Sequence, residues 1–586
     1  MRPQRQWLLH PPAPEESLAK LGVKDKHIAQ VLYNRGVRTA SQAEEFLNPS
    51  SGELDCAFLL AGAHEAIGLL RWAARRGKRV VVYGDYDADG LAATALACEL
   101  LESMGASVRA FIPNRIESGY GLHSKAIGEL ASNADVLLTV DCGITAVEEV
   151  QLARQRGLLV VVTDHHLPGA ELPPAHAVVC PRLSQQQALR HLTGVGTIAL
   201  LARGVAAIEA RFGHLHSLPS EEAVAELAAL GTIGDVAPLV GENRRLVALG
   251  LRRMQQAPRP GIRALLQAAG ISGQELDAHK VAFTLVPRLN AAGRIGSALP
   301  ALELLLAKEL EQALPLAKEL SRLNARRQAE QERALHALRQ THLAEHPVPL
   351  VFWASESIRP GVAGLVASKV VEETGVSAVI VALVGGEARG SVRTPPGLDA
   401  MRLLAGCAQL LQRYGGHTQA AGFVCAAQDV SPLRECMLAW AAENWGATLP
   451  RHPGIEIDLV MAPPGPNEPI WQICRLLEPT GPGNPKAVFF ADELLVQAKT
   501  PVGRTADHLL LRLSGPNGCH EAIAFGMGPH WQDIPPRLSI VYELDPAGTG
   551  GEARLVVLDM ADASLGCKPE PLCEPSALKK EEPCIL

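Results

Sequence analysis

Residues 79–90 read RVVVYGDYDADG. Val80, Val81 and Val82 make a β-branched run with no polar alternation, the pattern of a strand buried on both faces. Three carboxylates follow at once on alternate residues, Asp85, Asp87 and Asp89, and then Gly90 and the helix-forming LAATALACELL. Three acids this close at a strand end repel one another unless something gathers them. A hard divalent cation with oxygen ligands removes that difficulty. An EF-hand loop opens with the same spacing, but it has no buried strand before it and needs a glutamate where this chain has Leu96.

The same strand-then-acid pattern recurs outward along the chain. From about residue 57 to 206, VRAFIP (108–113), DVLLTVDCG (135–143) and LLVVVTDHH (158–166) alternate with helical stretches. Apolar strands separated by helices predict an α/β domain with a parallel sheet covered on both faces, and such sheets bind ligands at the carboxyl ends of their strands. Asp141 ends one predicted strand, two residues before a glycine that permits close backbone approach. Asp164, His165 and His166 end another. Asp235 follows an Ala/Leu-rich helix in GTIGDVAPLVGENRRLV (231–247). Singly, each acid reads equally well as a helix cap, and a histidine beside an apolar run as a hydrogen-bonded core residue. Three acidic strand ends in register favour one metal site.

Beyond this region the character changes. LPLAKELSRLNARRQAEQERALHALRQ places Leu316, Leu320, Leu323, Leu335 and Leu338 at helical spacing, which predicts one long helix after Pro315, joining two lobes. A second α/β stretch is expected from about 348 to 445, and a β-rich, Gly/Pro-punctuated one from about 455 to 560. The closing KPEPLCEPSALKKEEPCIL is proline- and charge-rich and expected to be disordered. The implied division is an N-terminal segment to 55, the acid-bearing domain at 56–300, a connector helix at 301–346, a smaller α/β domain at 347–447, a β domain at 453–563 and a tail from 564.

A chain of 586 residues with 47% hydrophobic content needs several cores. Its first residues, MRPQRQWLLHPPAPEE, lack the apolar stretch of a signal peptide, and no run approaches the roughly 18 apolar residues of a membrane helix, so a cytoplasmic placement is expected. The twelve cysteines include no C-x-x-C pair, which points to reduced, mostly buried thiols rather than zinc or redox motifs. Cys584 stands third from the end where prenylation needs the fourth. A net charge of −7 is unpromising for a nucleic-acid binder. Setting aside the six aspartates at 85, 87, 89, 141, 164 and 235, which would converge on one metal site, leaves −1 for the rest, and bound cations would reverse the local potential.

D-x-D-G, a strand-end D-x-G, D-H-H and G-x-x-x-D, in that order, resemble the four signature motifs of the DHH phosphoesterase superfamily. The longer strings GDYDADG, IPNR…GYGL, TDHH, GDVAPLVGENRRLV and PRLNAAGRIG are similar to the RecJ family of exonucleases, over almost the whole chain from near 56 to about 560. The resemblance implies metal-dependent hydrolysis of single-stranded DNA from its 5′ end to mononucleotides, in recombination and repair. It implies Asp87, Asp89, Asp141, His165 and Asp235 as ligands of two Mn²⁺ or Mg²⁺ ions, with Asp85 and His166 as ligands or their supports. An oxygen-rich set with one imidazole independently suits those ions. Two ions about 3.5–4 Å apart would share Asp141, activate a water and stabilise the leaving oxygen, so the catalytic set is Asp141, His165 and His166 with no separate protein base.

The resemblance also assigns the grip on nucleic acid. Arg115 and Tyr120 lie in PNRIESGYGL, and Arg288 and Arg294 flank an Asn290-Ala-Ala-Gly turn whose small residues permit a phosphate backbone to approach. RGSVR and YGGHTQAAGF resemble a DHH-associated domain, in which Ser391 and Arg393 would hold the 5′ phosphate and Gly415, Gly416 and His417 line the substrate path. LEPTGPGNPKAVFF resembles an OB-fold, which pairs a basic groove with aromatic platforms; Trp471, Phe489, Phe490 and Phe525 are available, most of them expected in the core. The chain departs from the family pattern at Ile358-Arg359, where Trp-His is usual, at Cys180, and at Ala92-Ala93, where hydroxyl residues are usual. A monomer with a hole between lobes too narrow for duplex, served by a helicase and a single-strand-binding protein, is the expected assembly. Two other readings stay open: a DHH phosphodiesterase for cyclic dinucleotides or short oligonucleotides, whose kind lacks the connector and the β domain, and a silent DNA-binding relative, whose kind loses metal ligands.

Overall fold

The valine-rich runs form a five-stranded, wholly parallel sheet: β1 (Arg79–Tyr83), β2 (Ser107–Phe111), β3 (Val136–Val140), β4 (Leu159–Thr163) and β5 (Ala177–Val179), in the spatial order β2-β1-β3-β4-β5. The structure, a computed structural model, describes residues 5–49, 57–115, 121–212, 218–342, 349–446, 454–465, 468–503, 505–545 and 554–572. Two units are distinguished, one built from Gly52–Pro450 and the other from Met1–Ser51 with Arg451–Thr480 and Asn484–Glu582.

Alternation along the strands explains why they lack a polar face. Val80, Val82, Leu138 and Val161 point into a core shared with α1 (Ala63–Arg75), α2 (Ala88–Ser103), α5 (Gly194–Ala210) and α6 (Glu221–Gly234). Val81, Tyr83, Leu137, Val160 and Val162 point the other way, against α3 (Ser124–Leu130) and α4 (Val147–Gln155). The chain runs from β1 outward to β2 and then back past β1 to β3. The connections therefore diverge at the carboxyl ends of β1 and β3, the switch point where open α/β sheets hold ligands.

Helices α7 (Gly241–Gln256), α8 (Pro260–Ala269), α9 (Val286–Ile295), α10 (Leu299–Leu306) and α11 (Leu310–His342) complete this region. Two expectations are corrected here. The Asn290-Ala-Ala-Gly segment is helical, inside α9, because Ala291 and Ala292 are fully buried and their small size lets the helix pack closely. The connector begins before Pro315, which lies inside α11. Proline removes one backbone bond there, but Ala313, Ala317 and Leu320 are fully buried on the same stretch, and their packing carries the helix through.

The smaller lobe is a mixed sheet of β6 (Leu350–Ser355), β7 (Ser377–Val384), β8 (Glu387–Arg393), β9 (Arg413–Gly416) and β10 (Ala420–Ala426), ordered β9-β10-β8-β7-β6 with only β6 and β7 parallel. One face packs on α12 (Pro360–Thr374) and on Leu335 and Leu338 of α11. The other packs on α13 (Ala400–Gly406) and α14 (Val430–Asn444). In the second unit, Phe489–Val502, His508–Gly515, Gly518–Ala524, Arg554–Asp562 and Arg537–Asp545 close into a five-stranded barrel through pairing of the first with the last, the OB topology. Ile28, Val31 and Leu32 of the N-terminal helix Lys26–Asn34 share its core with Leu511 and Tyr542. The stretch from 564, expected to be disordered, is ordered as far as Leu572: Glu570–Pro571 pairs with Leu8–Leu9, and Leu572 N donates to Leu9 O at 2.7 Å. Residues 573–586 lie outside the described residues.

Candidate functional site

Where β1 gives way to α2, Asp87 is the helix N-cap: its Oδ1 accepts from Asp89 N at 3.1 Å and Gly90 N at 3.0 Å. Ala88 N, another orphan donor of that first turn, donates to Asn290 Oδ1 at 2.8 Å. Asp89 is buried in the same first turn, and its two oxygens accept from Gly194 N at 2.7 Å and Val195 N at 3.0 Å. Those amides begin α5, so a second helix end supports the carboxylate's charge. Asp141 follows β3 in the left-handed region, with φ of 60°. His165, after β4, puts Nε2 at 3.1 Å from Asp141 Oδ1 and 3.9 Å from Asp89 Oδ2, and Nδ1 at 3.9 Å from Asp235 Oδ2. Asp235 reaches this point from the C-terminal end of α6.

Three overlapping groups result, each with its ligand atoms within 4.8 Å of one another: Asp85, Asp87 and Asp141; Asp89, His165 and Asp235; Asp141, His165 and His166. Asp141 and His165 each belong to two of them. The residues fit a pair of divalent cations on their own chemistry. Asp85 Oδ1 and Asp235 Oδ2 are buried with no hydrogen-bond partner in the structure, and a buried bare carboxylate oxygen is costly unless a cation meets it.

The electrostatics agree. Burial first, and then neighbouring carboxylates, push the pKa values of Asp85, Asp141 and Asp235 well up, and that of Asp89 to about 7. Burial holds His165 well below its usual range, so it stays neutral and able to donate a ring lone pair. Asp164 is the exception among the six aspartates expected to converge. Its Oδ1 accepts from His165 N (2.7 Å) and His166 N (3.1 Å) and meets His166 Nδ1 at 2.7 Å, while Oδ2 accepts from Ile144 N at 2.9 Å. Burial would raise this carboxyl, but the charge and hydrogen bond of His166 outweigh it and hold it at about 2. Asp164 is thus an anchor that orients the His165-His166 turn. Burial would lower the pKa of His166, but the charge and hydrogen bond of Asp164 outweigh it and raise it, and with Nδ1 engaged by Asp164 the remaining ring nitrogen is Nε2.

Sequence reasoning missed several contributors. Gly194 and Gly231 form the wall against which the acids rest: a Cβ on Gly194 would fall 2.6 Å from Asp141 Cβ, and one on Gly231 2.6 Å from Asp89 Oδ1. Gly194 stands in no motif that advertises chemistry, and Gly231, the glycine of G-x-x-x-D, had no role assigned to it. Arg182, after β5, donates from Nε to His165 O at 3.2 Å, and its charge tempers the rise at Asp235. Nothing in its local sequence set it apart from other basic residues.

Four guanidiniums gather beside the acids. Burial, then Arg115, Arg327 and Arg393, depress the pKa of Arg294, and burial and Arg115 depress Arg393. Mutually repelling arginines of this kind are an anion site in waiting. Arg115 stacks over Tyr86 at 4.7 Å. Arg327, from the connector helix, was not anticipated; Asn324 Oδ1 at 2.6 Å and Gln331 Oε1 at 3.0 Å hold it. Ser391 and Arg393 stand on one face of β8, their polar ends beside Gly364 of α12. Gly415 and Gly416 lie on the exposed edge strand β9, and His417 in the following turn stacks toward His166 with ring centroids 6.1 Å apart. Arg288 is placed elsewhere, bonding Thr284 O and, at 3.2 Å, Ser321 Oγ. Asn290 spends its carbonyl on Ala88, and Tyr120 lies outside the described residues.

The departures are absorbed locally. Ala92 and Ala93 are fully buried, and the helix start is held by Asp87, Asn290 and the Thr94 hydroxyl, 2.6 Å from Gly90 O. Cys180 Sγ lies 3.6 Å from His166 O. Ile358 joins the lobe's core, and Arg359 Nε pairs with Glu330 Oε2 of the connector at 3.1 Å. In the barrel, Phe489 and Phe490 are core and Trp471 donates to Gly465 O at 2.9 Å, while Phe525 is exposed.

Comparison with known proteins matches these regions in turn. Residues 79–232 match the DHH family N-terminal domain, 348–443 the DHHA1 domain and 457–556 the RecJ OB domain. The chain is 38% identical over 526 residues to the single-stranded-DNA-specific exonuclease RecJ of Thermus thermophilus, covering 88% of this chain and 73% of that protein. The crystal structure of Thermus thermophilus RecJ in complex with Mn²⁺ superposes with a TM-score of 0.82 at 34% identity, over 97% of this chain and 80% of that one. The Mg²⁺ complex gives 0.75 at 32% identity, over 95% and 79%. On this likeness of sequence, domain content and fold, the chain belongs to the RecJ family.

Proposed function

We propose that this protein is an exonuclease that hydrolyses the phosphodiester bonds of single-stranded DNA from the 5′ end, releasing 5′-mononucleotides. The observation that carries the reading is the juxtaposition of two opposite sites: overlapping carboxylate–imidazole groups centred on Asp141 and His165, and the cluster of Arg115, Arg294, Arg327 and Arg393 beside them. Asp85, Asp87, Asp89, Asp141, His165 and Asp235 would hold Mn²⁺ or Mg²⁺, which would supply Lewis acidity at the phosphate. The rest is the work of the chain. Asp164 fixes the His165-His166 turn, Asp87 and Asn290 fix the first turn of α2, and the start of α5 holds Asp89. Ser391, Arg393, Arg294, Arg327 and Arg115 bind the terminal phosphate and so set which bond lies over the acids. Gly415, Gly416 and His417 admit the strand along the β9 edge, with Tyr120 as a further contact. His166 and His417 face each other across the path.

The protein acts in recombination and repair, in the cytoplasm and as a monomer, on strands that a helicase opens and a single-strand-binding protein presents. Among the described residues no helix is long and apolar enough to cross a membrane. The test is digestion of end-labelled single- and double-stranded DNA with Mn²⁺, Mg²⁺ or EDTA, alongside Asp141→Ala. Mononucleotides should leave the 5′ end of single strands only. Activity that survives chelation, or that Asp141→Ala leaves intact, overturns the reading.

A further inference from the structure

The smaller lobe carries two thiols that phosphodiester chemistry does not use. Cys407 follows the last residue of α13 and is fully buried, whereas Cys436, on α14, is half-buried. Their sulfurs are 2.6 Å apart, far inside the roughly 3.5–4.0 Å at which non-bonded heavy atoms pack. Gly406 creates the approach. A Cβ there would lie 2.3 Å from Nε1 and 2.4 Å from Cδ1 of Trp440, one turn along α14 from Cys436, so only a bare backbone lets α14 rest on this corner. Cys436 Sγ also lies 4.0 Å from Gly406 O and 3.9 Å from Gln409 Nε2.

We propose that Cys407 and Cys436 form a reversible disulfide when the protein meets a hydroperoxide or a small-molecule disulfide, making this corner an oxidative modification site. The half-exposed Cys436 sulfur attacks the peroxide, the O–O bond breaks, and Cys436 becomes a sulfenic acid as an alcohol or water departs. Cys407 sulfur then attacks Cys436 sulfur; the S–O bond breaks and the hydroxide leaves as water with the Cys407 proton. The two sulfurs together give up two electrons and the peroxide takes them. With a small disulfide, Cys436 first exchanges to a mixed disulfide and Cys407 displaces the small thiol. The roles follow from access, and burial together with Cys436 itself pushes the Cys407 thiol up to about 12, which suits it to resolving rather than attacking.

The bridge would join residues 29 apart and close a loop that contains β9, Gly415, Gly416, His417 and β10. Closing it removes freedom from the unfolded chain, so the oxidised protein melts higher than the reduced one. The test treats the full chain with slight excesses of hydrogen peroxide or glutathione disulfide, blocks remaining thiols without reduction, and maps the peptides. A Cys407–Cys436 crosslink that dithiothreitol removes, with a higher Tm, is the expected result. Cys407→Ser should trap the sulfenic acid of Cys436 as a dimedone adduct, and Gly406→Ala should lower the crosslink yield several-fold. The proposal is overturned if both cysteines remain alkylatable while exposed Cys519 is oxidised, or if the crosslink forms only after denaturation.

Discussion

Gly231 carries no functional group, yet the position of Asp89 depends on it. Alanine there would drive a methyl group against Asp89 Oδ1 and to 2.7 Å from Val195 Cγ1, so the carboxylate must leave the amides of Gly194 and Val195 or the helices must part. Gly231→Ala should weaken Mn²⁺ binding by about tenfold or more, the size typical when the support of a ligand is lost, as read by metal titration calorimetry. Unchanged affinity would mean that Asp89 is not a ligand. Arg327 makes a complementary case, because its charge joins the cluster from an element assigned only a connecting role. Arg327→Ala should raise KM for 5′-phosphorylated strands by roughly tenfold or more, the worth of one charged hydrogen bond, and spare 5′-hydroxyl strands. Equal loss on both would mark it as structural. The acids after the strands were legible as a group from residue type and strand-end position, whereas Asp235, at a helix end, was legible only through the motif it shares with the family. Asp164 was not legible as an anchor, since its spacing matches the ligands and only its direction differs. Arg182 and Arg327 were not legible at all, because one basic residue on a helix or loop looks like any other.

Elements were read best where one local pattern governs them. The strands Arg79–Tyr83, Val136–Val140 and Leu159–Thr163 and their buried faces follow from nearly uninterrupted valine and leucine. The Asn290-Ala-Ala-Gly segment misled for the opposite reason: small residues signal close approach in a turn and in a tightly packed helix alike, and it is the burial of Ala291 and Ala292 that decides for the helix. Pro315 misled because a local rule about helix starts yielded to burial of Ala313, Ala317 and Leu320. That compromise is measurable. Pro315→Ala restores a backbone donor in α11 and relieves the ring's crowding of the preceding turn, so it should stabilise the protein by about 1–3 kcal/mol, seen as a higher denaturant midpoint with an unchanged slope. A destabilised variant would show that the proline ring packs to greater effect than the missing bond costs.

At the scale of the molecule, what was least legible is what sequence distance hides. Trp7 pairs with Ile455, and its indole nitrogen donates to Asp559 at 2.9 Å across 552 residues; no local pattern marks such partners. The charge of the acid cluster is a global quantity of another kind, and it couples stability to pH. Asp85, Asp89, Asp141 and Asp235 have raised pKa values in the folded, metal-free chain, so the folded state binds protons more tightly than the unfolded one. The stability this contributes is complete below the unfolded value of roughly 4 and is lost as pH rises through the folded value, about 7 for Asp89. In EDTA the cluster should therefore lower Tm progressively from about pH 5 to about pH 8. Mn²⁺ replaces the protons, so its stabilising increment should grow over the same interval and its binding should release protons. Melting curves with and without Mn²⁺ across that range, and calorimetry in buffers of different ionisation heat, measure both. A flat increment with no proton release would mean that the carboxylates are already ionised without the metal, and that their burial is compensated by something other than a cation.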